Sequence, residues 1–428
     1  MDRDRFMHRG RRRAAGARHG ATVLGIAVVI AASACSGILD VETPTRISED
    51  ALQNPANAAL IVNGAQADFE CAFGAHVVAS GLIADELESS GGAAIFFDYD
   101  RRSSDPVSGL YSFGTCSPSQ TQLGTYRPLS TARYTADNAV RLLEGWTDEE
   151  VPDRAALIAR AKVYAGFSRI LLGEAFCSAK IDGGPELTPA DLFASAEQQF
   201  TDAIAQAGTT NDDLRFAALA GRARARRNLD DMAGALADAQ LIPANFVFYA
   251  NFNPSTPRSQ NPLVEMHFRS DGIIVEAPYR GLTFAGVADP RVPVAYAGRK
   301  SADGLRDLYL TSKFPNQDSP IPIASWDEAQ LIIAEAQLAA GNITEAVAAI
   351  NALHAKAGIP PYAGGTAAEV LTQIIEERRR ELFVEGHRAW DIIHFDLAQN
   401  PAPGVTHPQG GVYGNQKCLP IPAAELTP

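Results

Sequence analysis

The stretch that decides the fold is 376–391, EERRRELFVEGHRAWD, where four arginines, four glutamates, a histidine and an aspartate crowd sixteen residues of otherwise helical character. At about 100° per residue, His387, Asp391 and His394 fall within roughly 60° of one another on one helical face. Two imidazoles and a carboxylate so placed suit a divalent metal or acid–base chemistry. Three features weaken that reading. The strong helical zinc signature, two histidines four apart with a glutamate after the first, does not occur in the stretch. Trp390 and Ile393 flank the same face, and with Leu371, Ile375, Leu382 and Phe383 they form an apolar stripe that predicts burial. The charges also pair locally, Glu376 with Arg380 at i+4, and Glu377 with Arg380, Arg378 with Glu381 and Glu385 with Arg388 at i+3. The expectation is one long helix with a buried seam and Gly386 at a close crossing, with no metal, cofactor or catalytic residue. The alternative is a periplasmic metal-dependent hydrolase using His387, Asp391 and His394.

Outward from this stretch the helical grammar repeats. Residues 151–176 carry Pro152 and Asp153 in the first turn, then Leu157, Ala161, Tyr164, Ala165, Ser168, Leu171 and Leu172 at three- and four-residue spacing. Thr188, Pro189 and Asp191 open the next helix, which Gly208 closes. Helices follow at 213–227 and 231–241, and again at 325–341 and 343–357 across a Gly-Asn turn. Pairs with small residues at Ala334, Ala336, Ala339, Ala346 and Ala349 read as tetratricopeptide-like units, which must stack to bury their apolar faces. The fold class expected is all-α dominated, with helix pairs at about 151–241 and 325–395. Two regions break the pattern, 89–130 and 242–322, rich in Pro, Gly, Ser and aromatics and too long for ordinary connections. Phe96, Phe97, Tyr99, Tyr111, Phe248 and Tyr249 in these regions are the candidate ligand contacts, since flat apolar rings beside polar groups suit sugars.

The amino terminus carries an address. Seven arginines lie in residues 1–18, and 21–32 is an uncharged apolar run, shorter than the roughly 20 residues that span a bilayer. It ends in ASAC, which resembles a bacterial lipobox with Ala32 in place of the usual leucine and Cys35 as the acylated residue; an ordinary signal peptide cut after Ala34 is the alternative. Stable anchoring takes more than one acyl chain, as a lipoprotein carries. Residues 1–34 hold seven positive and two negative charges, so the remainder stands at −18 rather than −13, a poor match to nucleic acid. Cys71, Cys116, Cys177 and Cys418 then allow three pairings in an oxidising compartment, with Cys71–Cys116 favoured as the nearer pair.

EERRRELFVEGHRAWDIIHF closely resembles the C-terminal hallmark of the SusD/RagB family of outer-membrane nutrient-binding lipoproteins. The similarity extends to PIPIASWDEAQLIIAEAQLAAGNITEAVAAINALHAKAG, to CLPIPAAELTP at the end, to CSGILDVETP after the cysteine, and to SGLIADELESS and RAKVYAGFSRILLGEAF. The resemblance implies that residues 35–428 form one SusD-like domain in which Arg379, Glu381, Glu385, His387, Arg388 and Asp391 are structural. It further implies a lipid-anchored protein at the outer membrane, facing the cell exterior. Such a protein captures an oligosaccharide, peptide or similar nutrient without catalysis and passes it to a SusC-like TonB-dependent transporter. A tetratricopeptide adaptor is a third reading. The region 89–130 is neither long nor rich in tryptophan, which argues against a large polysaccharide platform.

Overall fold

The computed structural model describes residues 53–117 and 123–426. Cys35 and the segment before it lie outside the described residues.

Two central helices organise the core. Helix α1 (Ala58–Ile83) is buried continuously from Cys71 to Ile83, and a helix without a polar face belongs inside a helical stack rather than on it. Its sequence therefore lacks the three-four stripe, and sequence reading passed over it. After the short α2 (Ala94–Asp100) comes α3 (Tyr126–Glu144), amphipathic, with Leu129, Ala132, Ala136, Ala139 and Leu143 inward. Helix α4 (Arg154–Ala175) is the second central element and packs on α1 and α3.

The stack continues with α5 (Pro189–Ala207), α6 (Asp212–Asn228) and α7 (Met232–Ala239). Thr188 and Asp191 complete a reciprocal cap at the start of α5, satisfying amide donors the helix cannot. The Phe200 ring sits where Gly166 of α4 and Gly221 of α6 face it; a Cβ there would lie 2.7 Å and 2.3 Å from ring carbons, so both glycines are needed for this crossing. Helices α8 (Trp326–Ala339), α9 (Ile343–Ala357) and α10 (Ala367–Glu381) extend the array, with α8 on α6, α7, α9 and α10. The helix-pair organisation and the all-α dominated class expected from sequence are what the chain adopts.

The one long helix expected over 376–394 is instead two. Helix α10 ends at Glu381, Val384 (φ 52) and Gly386 (φ +88) turn the chain through left-handed backbone, and α11 (Arg388–His394) starts afresh. A side chain at Gly386 would meet the His76 ring at 2.9 Å, so this tight turn seats the junction against α1. The buried face of α10 is also rotated from the apolar stripe read in the sequence. It carries Val370, Ile374, Glu377 and Arg378, while Leu371 is exposed.

Short strands stitch the irregular regions to the helices. Strand β1 (Leu87–Ser89) pairs antiparallel with β3 (Ile273–Val275), β2 (Val247–Ala250) with β6 (Ile321–Ser325), and β4 (Val294–Lys300) with β5 (Asp307–Thr311). The β1–β3 pair draws the 242–322 region onto the segment after α1. Cys71 is bonded to Cys116 and Cys177 to Cys418, the first tying α1 to the segment before α3 and the second tying the end of α4 to the C-terminal tail. No helix among the described residues is long and apolar enough to cross a membrane.

Candidate functional site

The ionisable side chains of 376–394 do not converge. Asp391 is buried and accepts from Arg378 Nε at 2.9 and 3.0 Å and from an Arg227 nitrogen at 3.4 Å. His394 Nε2 lies 2.9 Å from Glu335, which Arg227 also holds at 3.0 Å. His387 faces Glu328 at 3.9 Å, and burial beside the Arg224, Arg378 and Arg227 guanidiniums holds its pKa well below the ordinary imidazole value, so it is neutral. Among the described residues no His, Cys, Asp and Glu group is arranged to hold a metal.

Of the local ion pairs expected, Glu376–Arg380 forms at 2.6 Å, while the other three expected pairs are replaced by long-range partners. Glu377 takes Arg291 at 2.5 Å and His354 at 2.8 Å; Glu381 takes Arg291 at 3.1 Å. Arg378 takes Asp391, Glu385 takes Lys313 at 2.8 Å, and Arg388 grips Asp85 at 2.7 and 2.9 Å. Arg379 pairs with Glu376 and donates to the Pro278 carbonyl. The stretch thus links α10 and α11 to the end of α1, to α6 and α8, and to the 289–313 region. Apart from Glu376 and Arg379, which pair within α10, these charges are buried where helical geometry alone places them outside, because each finds a fixed counter-charge on another element.

The candidate ligand aromatics divide. Phe96, Tyr99 and Tyr111 are core residues, which corrects their assignment as contacts. Tyr99 reaches Thr125, Tyr111 donates to the Pro420 carbonyl, and the rings pack edge-on at 6.3 Å. Phe248 is held between Tyr164 and Phe167, with ring centres 5.8 and 6.1 Å away, and acts as glue between β2 and α4. Tyr249 is 40 % exposed on the same strand. Of the six, Phe97 lines a cavity.

That cavity, about 340 Å³, is walled by Gly91, Gly92, Ala93, Ala94, Phe97 and Gln409. Its glycine wall is set by Ser90 and Gly91, whose amides both donate to Gly272 O at 2.8 and 3.0 Å. Phe97 is fixed by the Arg101 guanidinium 3.7 Å from its ring centre and by the edge of His407, centre to centre 4.9 Å. Gln409 spans to Gly91 O and Asp303, both at 3.1 Å. Gln409 N–H donates to His407 Nδ1 at 3.1 Å, so the ring proton is on Nε2, which donates to Asp100 at 3.0 Å.

Beneath the wall lie buried acids. Burial raises the carboxyls of Glu88 and Asp100 above their ordinary values and Glu276 to about 8, with Glu88 and Asp100 adding to the last. Arg306 pairs with Glu88 and Asp303 and also reaches Ser89 O at 2.5 Å. Shifted carboxyls are a mark of acid–base sites, yet these three are buried and none of them lines the cavity. An apolar ring, small residues and one amide can hold a ligand.

The SusD family model matches residues 328–418, the region that holds α8 to α11 and the charged stretch. Solved structures of SusD-like proteins superpose along nearly the whole of their lengths. The fold is that of SusD-like proteins, and residues 328–418 match the SusD family. A SusD superfamily protein from Bacteroides vulgatus is 15% identical with a TM-score of 0.68, over 87% of this chain and 96% of that one. One from Bacteroides thetaiotaomicron is 16% identical, TM-score 0.67, over 87% and 97%. A laminarin-binding SusD-like protein is 15% identical, TM-score 0.66, over 87% and 97%. No curated protein sequence matches the chain. In this SusD-like fold the charged stretch is a brace, and sequence reading missed Gln409 and the exposed Phe113. Neither has a local signal: Gln409 is brought to Phe97 from the far end of the chain, and Phe113 shares its composition with the buried aromatics around it.

Proposed function

We propose that this protein belongs to the SusD/RagB family, captures a nutrient glycan at the Phe97 cavity and releases it unchanged. The observation that carries the reading is a ring fixed by Arg101 and His407 on the wall of a cavity whose lining offers hydrogen-bonding polarity without an acid, base or nucleophile. The laminarin-binding neighbour supports a saccharide ligand. Calorimetric titration of laminari-oligosaccharides, with mannan and xylan oligosaccharides and short peptides in parallel, tests this; release of shorter products on prolonged incubation would refute capture without chemistry.

In the same proposal Cys35 is lipidated and the mature chain resides at the outer membrane, facing outward, over a SusC-like TonB-dependent transporter. The basic segment, short apolar run and ASAC sequence support the anchor. Fractionation of a Cys35→Ala variant tests it: the protein should leave the membrane fraction, and retention there would refute the anchor. Co-purification should recover a large β-barrel, whereas soluble partners alone would favour the adaptor reading.

A further inference from the structure

A second cavity, about 200 Å³, opens where α1, the start of α3 and the 251–259 loop meet, and its polar walls are Asp68, Thr115, Arg127, Thr131 and Arg258. Arg258 is paired with Asp68, whereas Arg127 is exposed and has no carboxylate partner among the described residues. Two guanidiniums against one carboxylate leave one net positive charge, in a chain whose formal net charge is −13.

The walls are held rigidly. Cys116 lines the cavity and is bonded to Cys71 of α1. Gly114 and Gly124 cross so closely that a Cβ on Gly114 would lie 2.5 Å from Gly124 Cα, and Gly124 N–H donates to Thr115 O at 2.8 Å. Gly114 is shared with a shallow depression formed by Gly109, Leu110 and Phe113, whose ring is 63 % exposed. An exposed aromatic ring therefore lies one residue along the chain from a wall of the arginine-lined cavity. Planar guanidinium forks match carboxylates in two-point contacts, and an aromatic face suits the apolar side of a sugar ring.

We infer that this cavity binds a carboxylate group of a ligand, held by Arg127 and Arg258 with Phe113 against the ligand's body. A uronic acid and a peptide C-terminus share that chemistry, and Phe113 favours the uronic acid. The site goes beyond the Phe97 reading and does not rest on it.

Titration of the full mature chain with digalacturonate, its dimethyl ester and the tripeptide Gly-Gly-Ala tests the inference. Either free carboxylate should bind, the methyl ester should not, and binding should weaken as salt rises. Arg127→Gln should weaken binding about 10- to 100-fold, the range for loss of a hydrogen bond to a charged group, with unchanged melting because the residue is exposed. Asp68→Asn should tighten it by freeing Arg258, and Phe97→Ala should leave it unchanged. Equal binding of the methyl ester, undiminished binding by Arg127→Gln, or no binding of either carboxylate would overturn the inference. Binding of digalacturonate over the tripeptide would identify the source as a sugar acid, and the reverse a peptide end.

Discussion

Replacing Asp391 by Asn removes one charge from the centre of the brace while keeping its shape. Asp391 is 1 % exposed and compensates Arg378, also buried, at 2.9 and 3.0 Å and Arg227 at 3.4 Å. Arg227 retains Glu335, but the Arg378 Nε–H loses its only carboxylate among the described residues, so a buried guanidinium is left facing an amide. Removing one partner of a buried ion pair costs about 3–5 kcal/mol, most of it the uncompensated charge left behind. With an m-value of about 4 kcal/mol/M in urea, scaled up from small domains with size, the unfolding midpoint falls by about 1 M. Circular dichroism at 222 nm during urea titration reads this. Asp396→Asn is the control, because its pair with Lys417 is on the surface and Asp396 is 94 % exposed; the midpoint should not move. The double variant Arg378→Met/Asp391→Leu removes both charges and should lose less than the two single changes summed. A shift below about 0.2 M for Asp391→Asn would refute the claim that this aspartate holds α10, α11 and α6 together.

Other perturbations follow from the same geometry. Burial raises the Glu86 carboxyl from 4.5 to about 8; it accepts Val384 N–H at 2.9 Å through one oxygen while the other is buried without a partner. A carboxyl whose folded pKa is raised stabilises when protonated, and that contribution is lost as pH rises between the unfolded and folded values. Glu86→Gln keeps an acceptor for Val384 and cannot ionise, so its stability relative to wild type should climb from pH 4.5 to about 8 and then level, by up to about 1.4 kcal/mol per pH unit; a constant difference across urea curves at several pH values would contradict this. Gly386→Ala must place a side chain at φ +88 against His76, and should cost about 1–3 kcal/mol in thermal or urea unfolding.

Much of the scaffold could be read from the chain because helix grammar is local. Thr188 and Asp191 announce α5, and Thr366 with Glu369 forms the same reciprocal cap at α10. What escaped reading is set by partners far away in sequence. Helix α1 is buried all round from Cys71 to Ile83, so that part has no stripe to find. Glu377 and Arg378 look like surface charges until Arg291, His354 and Asp391 are brought to them. The break at 382–387 rests on Gly386 meeting His76, more than three hundred residues away. Ligand aromatics were misjudged for a related reason: Phe96 and Phe97 are adjacent, yet the turn of α2 sends one into the core and the other to a cavity.

The central claim is a division of labour, with the charged C-terminal stretch holding the fold and the Phe97 cavity holding the ligand. One calorimetric series tests it, titrating laminari-oligosaccharides into wild type, Phe97→Ala and Asp391→Asn well below their melting temperatures. Phe97→Ala should bind at least ~10-fold more weakly, as expected for an aromatic anchor, and Asp391→Asn should bind like wild type despite its lower stability. Undiminished binding by Phe97→Ala, or lost binding by folded Asp391→Asn, would contradict the account.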